Sequence, residues 1–142
     1  MEKLDILIFS KNRPCQLDLS IRSLKEHVNM NNSISVLYLC DSEQFKLGYN
    51  IVKELYKDVY FLEQADTSFK VCVTDIIKFF DSLYLGFCDD CVLIRPVSNH
   101  DNVFTTFLNN EKIMTLNLRL GKDIFYNYDS DTWRFEPLLP GH

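Results

Sequence analysis

The chain predicts an α/β fold, a three-layer α/β/α sandwich around a mainly parallel sheet, and three observations carry that reading. Short apolar, β-prone runs alternate four times with stretches whose apolar residues recur every three or four positions. That order implies right-handed crossovers and a sheet covered on both faces. The run from Tyr84 to Pro96 is apolar, is interrupted by the adjacent carboxylates Asp89 and Asp90, and resumes at once. It reads as a buried strand that delivers both acids to its carboxyl end. Finally, 142 residues of ordinary globular composition fill one domain and are few for two. With no repeat, linker or low-complexity segment, a single domain over 1–142 is expected.

Residues 4–9 form the first expected strand, ended by the polar, basic turn Ser10-Lys11-Asn12-Arg13-Pro14. A helix over 16–27 follows, because Leu17, Ile21, Leu24 and Val28 make one buried stripe. After a break at 29–33, the second strand covers 34–40 and stops at Asp41-Ser42-Glu43. The second helix, 45–56, carries Leu47, Ile51, Val52 and Leu55 on one side, and 59–62 is a short third strand. Ala65-Asp66-Thr67-Ser68 offers N-cap residues to a third helix over 69–80, with Val73, Ile76, Ile77 and Phe80 inward and Phe79-Phe80 in the core. Beyond the fourth strand, a helix over 99–109 and a fifth strand over 113–120 are expected. The tail, 122–142, mixes aromatic, acidic and turn residues and reads as loop plus a short strand.

The net charge of −5 argues against a general nucleic-acid or anionic-membrane partner, since phosphate-rich surfaces would be repelled. No stretch approaches the roughly 18 apolar residues of a membrane span, and no secretory leader opens the chain, so a cytoplasmic protein with no transmembrane segment is expected. Among the five cysteines, Cys15, Cys40 and Cys72 lie inside apolar patterns and read as reduced core thiols. Cys88 and Cys91 form a C-x-x-C, half a zinc site or a redox pair. The other half of a zinc site is missing, because His27, His100 and His142 are scattered. Redox motifs usually open a helix, whereas here Val92-Leu93-Ile94 and Pro96 follow.

Three polar loops leave carboxyl ends of strands, where ligands bind in open α/β sheets: 10–13, 41–43 and 89–90. The repulsion between Asp89 and Asp90 is offset by a cation or a hydrogen-bond network, and hard oxygen ligands suit Mg²⁺ or Mn²⁺. A pair that merely ends a strand in water is the plainer alternative. A ligand satisfying all three loops has an anionic part for Arg13 and a metal, and donors for Asp41; a nucleoside diphosphate has both. Neither G-x-G-x-x-G nor G-x-x-x-x-G-K-[ST] is present, so phosphate has to be held by metal and side chains.

Phe9-Ser10-Lys11-Asn12-Arg13-Pro14-Cys15-Gln16-Leu17, with Ile21-Arg22-Ser23-Leu24 after it, resembles the opening of nucleotide-sugar-dependent glycosyltransferases of the GT-A fold, family 2 type. Residues 85–96 resemble their Asp-x-Asp region, and Leu118-Arg119-Leu120-Gly121-Lys122 is similar to a segment that follows it in some members. The resemblance implies that Ser10, Asn12, Arg13, Asp41, Lys70 and Asp89 contact the nucleotide of a UDP- or GDP-linked sugar. It also implies that Asp89 and Asp90 bind the Mg²⁺ or Mn²⁺ bridging the diphosphate, and that the sugar passes to an acceptor hydroxyl. Two departures stand out. Cys91 replaces a third carboxylate, and a thiol is a poor ligand for a hard cation. The chain also stops where such enzymes continue into an acceptor-binding half, which leaves Asp129, Asp131 and Glu136 as available bases with no catalytic residue assigned. A non-catalytic nucleotide-sugar-binding module and a thiol redox protein using Cys88 and Cys91 are the competing readings.

Overall fold

The computed structural model describes residues 3–80, 83–98, 105–107, 109–110, 112–113, 126–127 and 132–133. Residues 1–101 form one compact unit and residues 102–142 another. In the first unit, β1 (Leu4–Lys11), β2 (Asn32–Leu39), β3 (Tyr60–Glu63) and β4 (Leu83–Cys88) make a four-stranded sheet of order β3-β2-β1-β4. All three pairings are parallel. The connecting helices are α1 (Pro14–His27), α2 (Glu43–Leu55) and α3 (Phe69–Ile77).

The layering follows from the two-residue period of the strands. Ile6 and Ile8 of β1 and Ile34, Val36 and Tyr38 of β2 point to one face, where Leu17, Ile21 and Leu24 of α1 and Tyr49 and Val52 of α2 close over them. Leu7 and Leu37, one position out of step, point to the other face and meet Cys72 and Ile76 of α3. This is a three-layer α/β/α sandwich, Rossmann-like, as the alternation of elements predicts. Each buried Leu or Ile contributes about 1.5–3 kcal/mol, so the more populous α1/α2 face supplies most of the apolar stabilisation.

Local sequence sets the ends of the elements. Pro14 opens α1 with its φ already helical and no N–H to leave unpaired. Ser42 and Ser68 cap α2 and α3 by accepting hydrogen bonds from the N–H groups of Phe45 and Val71. After β4 the chain does not continue as a strand. It runs along α1 and closes as a parallel bridge of Val97 with Val28, where Val97 N–H donates to His27 O (2.7 Å) and Asn29 N–H to Val97 O (2.9 Å).

Several expectations need correction. Of the four apolar residues expected together on α2, Val52 is buried, beside Tyr49, whereas Leu47, Ile51 and Leu55 are 64%, 63% and 59% exposed. α3 ends at Ile77, which leaves Phe79 83% exposed and only Phe80 packed at the smaller core. β4 is the outer strand of the described sheet, so its residues alternate between half-buried and exposed instead of being buried on both faces. Cys72 is buried as expected, Cys40 is half-buried, and Cys15 is exposed.

In the second unit, residues 105–107 of the helix expected over 99–109 are helical. β5 (Tyr126–Asn127) pairs antiparallel with β6 (Thr132–Trp133), Tyr126 opposite Trp133. Of the strand expected over 113–120 only Ile113 is described, and it is not in a strand. Asp129, Asp131 and Glu136 lie outside the described residues. Among the described residues no helix is long and apolar enough to cross a membrane.

Candidate functional site

Strand order β3-β2-β1-β4 places the reversal of chain direction across the sheet between β1 and β4. The helices that follow β1 and β2 cover one face and the helix that precedes β4 covers the other, the arrangement in which open α/β sheets form a crevice beyond the carboxyl ends of the two strands. The loops leaving them carry Ser10, Lys11, Asn12 and Arg13 on one side and Asp89 and Asp90 on the other. Asp41 stands two residues beyond β2, the other neighbour of β1.

Asn12 shapes the first loop. Its φ of 56° lies in the left-handed region, which asparagine tolerates better than most residues. Its N–H donates to Leu39 O (3.1 Å), tying the loop to the end of β2. Its side-chain amide then meets Asp41 twice, Nδ2 donating to Oδ2 and Oδ1 accepting from the Asp41 N–H, both at 2.9 Å. The Lys11 ammonium lies 3.6 Å from the same carboxylate.

Asp89 and Asp90 differ sharply in setting. Asp89 is 6% exposed; its N–H donates to Phe9 O (3.0 Å) and its Oδ2 accepts from the Lys11 N–H (3.3 Å). Asp90 is exposed. The Arg13 guanidinium spans them, with Nη1 3.7 Å from Asp89 Oδ1 and 3.7 Å from Asp90 Oδ2. Cys91 N–H donates to Cys88 O (3.0 Å), so the acids sit on a tight reverse turn. From below, the buried Ser20 of α1 holds this turn: its Oγ lies 2.7 Å from Asp89 O and 2.6 Å from Cys91 O. Ser23, one helical turn on, donates to Ser20 O and accepts from Leu93 N–H at 3.1 Å.

Ser10 does not face the crevice. It is buried, and its Oγ is 2.7 Å from the Tyr49 hydroxyl, which also accepts from the Arg13 N–H at 3.2 Å. Burial pushes the Tyr49 phenol above its usual pKa. Lys70 is exposed in the first turn of α3, whose start is fixed by the Phe69 ring against Phe9, 5.4 Å between centroids. No hydrogen bond or ion pair joins the Lys70 ammonium to the acids among the described residues. The structure thus brings Asn12, Arg13, Asp41, Asp89 and Asp90 together, turns Ser10 beneath them, and leaves Lys70 outside their network.

A second polar group adjoins Asp41. Tyr38 donates to Glu63 (3.0 Å), Lys53 donates to the Tyr38 hydroxyl and lies 4.6 Å from its ring centroid, and the Cys40 thiol is 3.5 Å from Glu63. Burial and the Glu63 carboxylate drive the Tyr38 phenol and the Cys40 thiol upward in pKa.

The donor set suits a particular kind of cation site. Among the described residues no group of three His, Cys, Asp or Glu gathers around a common point. Asp89 and Asp90 are hard oxygen donors, and one or two carboxylates completed by phosphate oxygens and water is how Mg²⁺ is usually held. Two carboxylates are too few to cage a cation by protein alone, so any cation held here would take its remaining ligands from elsewhere. Cys88 and Cys91 lie across a reverse turn, without the helix N-terminus that activates redox thiols.

Tyr49, Ser20 and Ser23 escaped the sequence reading, although the last two are polar residues amid the apolar stripe of α1 and Tyr49 stands three positions from Val52. A polar side chain on a buried helical face was the available signal, since such a group requires a partner. Comparisons of the chain with family models, with curated proteins and with solved structures return no significant match.

Proposed function

We propose that the crevice binds a nucleoside-diphosphate sugar, UDP- or GDP-linked, and that the chain is a glycosyltransferase, or the donor-binding part of one, assisted by Mg²⁺ or Mn²⁺. The observation that carries this reading is the meeting of three loops at the carboxyl ends of β1 and its neighbours β2 and β4, where one guanidinium serves two carboxylates and one amide locks a third.

Each residue has a role in keeping with its setting. Asp41, exposed and oriented by Asn12, accepts hydrogen bonds from the base or ribose. Asp90, exposed on its turn, and Asp89 beside it present oxygen to the cation. Arg13 supplies positive charge to the diphosphate. A bound Mg²⁺ or Mn²⁺ supplies Lewis-acid stabilisation of the charge that grows on the departing diphosphate. An odd count of five cysteines fits a reducing, cytoplasmic setting.

Calorimetric titration with UDP and GDP, with and without Mn²⁺, tests the reading. Heat that requires Mn²⁺ is expected for one of the two nucleotides, and its absence for both removes the proposal. Release or transfer of sugar from the matching sugar nucleotide then separates an enzyme from a non-catalytic donor-binding module.

A further inference from the structure

The acidic pair already has a cation of its own. Arg13 Nη1 stands 3.7 Å from an oxygen of Asp89 and 3.7 Å from an oxygen of Asp90. Both separations are too long for a hydrogen bond, so the guanidinium acts as a charge shared between two acids and not as a bidentate fork on one. Its backbone N–H is anchored on the Tyr49 hydroxyl, while its side chain makes no capping bond to α1 and is 52% exposed. The head group can therefore leave the acids without disturbing the loop.

A divalent cation on these two carboxylates has to share them with a guanidinium of the same sign, and like charges this close oppose one another. A diphosphate changes the balance, because it gives Arg13 a new anionic partner and gives the cation further oxygen ligands. Resting on the donor-binding reading above, we propose that Arg13 couples the two ligands. It offsets half of the charge of Asp89 and Asp90 until a diphosphate draws it away, so that cation and nucleotide each bind weakly alone and tighten one another. Such coupling is reciprocal, the cation raising nucleotide affinity by the factor by which the nucleotide raises cation affinity. It also selects for diphosphates, because a nucleoside without phosphate offers Arg13 nothing in exchange for the acids.

The test uses the full chain, with free Mn²⁺ followed by electron paramagnetic resonance. In the wild type, UDP or GDP should tighten Mn²⁺ binding, and uridine or guanosine should not. Arg13→Gln should bind Mn²⁺ alone more tightly, by roughly threefold on the scale of exposed ion pairs, and should lose most of the enhancement by nucleotide. Arg13→Lys, which keeps the charge, should stay close to the wild type in Mn²⁺ alone. If Arg13→Gln keeps its circular dichroism and binds Mn²⁺ alone no more tightly, the coupling is overturned while the donor site stands. If the wild type binds neither nucleotide with Mn²⁺, the donor-site reading falls and the coupling falls with it.

Discussion

The side chain of Asn12 and residue Asp41 exchange two hydrogen bonds, each 2.9 Å, between loops 29 positions apart in sequence. The exchange requires Asn12 to hold φ at 56°, a conformation costing most L-residues about 1–2 kcal/mol. Asn12→Ala should therefore lower stability in urea by about 1–3 kcal/mol, combining backbone strain with lost bonds. Asn12→Gly relieves the backbone and should cost less, yet should weaken UDP or GDP binding as much as alanine does. Equal stability losses in the two variants would contradict the left-handed geometry.

Ser20 ties α1 to the acidic turn through one hydroxyl facing two carbonyls. Ser20→Ala leaves buried acceptors unpaired and should cost about 1–3 kcal/mol in a urea titration. Mn²⁺-dependent nucleotide binding should weaken with it. An unchanged urea midpoint would mean that the turn is held by other contacts.

Gly48 sits in α2 where an added Cβ would lie 2.5 Å from Pro14 Cγ. Helix propensity alone favours Gly48→Ala by about 1 kcal/mol. The clash falls on a rigid ring at the first position of α1, and overpacking of this kind costs about 1–3 kcal/mol. Net destabilisation is expected, partly recovered in Gly48→Ala/Pro14→Ala, which removes Cγ. A more stable Gly48→Ala protein would show that the two helices separate freely here.

Tyr38, Tyr49 and Tyr56 all have phenols raised above the ordinary 10.0, in each case chiefly by burial. A group that holds its proton more tightly when folded stabilises the fold fully below its unfolded pKa. That contribution is lost as pH rises through the folded value. Stability should thus fall steadily above pH 10.0. Tyr38→Phe should flatten the alkaline limb, which denaturant titrations across that range would reveal. An unaltered slope would contradict the buried setting of the Tyr38 hydroxyl.

Much of this was legible from residue order alone. The four alternations, the stripe of Leu17, Ile21, Leu24 and Val28, and the three polar loops at one sheet edge follow from period and turn chemistry. In α2 the sequence points to Val52 correctly but to the wrong neighbours of it, because the helix is apolar on two sides. Leu47, Ile51 and Leu55 recur every four residues, but the side that packs is Phe45, Tyr49 and Val52. What decides between them is tertiary: the Tyr49 hydroxyl reaches Ser10 and Arg13, and its ring lies 4.4 Å from that of Tyr38. The loop position of Ser10 suggests a place beside the ligand, but Ser10 is the last-but-one residue of β1. The strand period, which puts it on the same face as Ile6 and Ile8, turns it inward. The Arg13 bridge has no sequence signature, since it depends on the loops after β1 and β4 becoming neighbours.

Mn²⁺ broadens nearby amide resonances, so adding Mn²⁺ and the bound nucleotide to ¹⁵N-labelled protein locates the site directly. Loss of signal should centre on Asp89 to Cys91 and reach Lys11 to Arg13 and Asp41, and Asp90→Asn should abolish it. Broadening centred away from the carboxyl ends of β1 and β4, or a pattern unchanged in Asp90→Asn, would contradict a donor site built on these three loops.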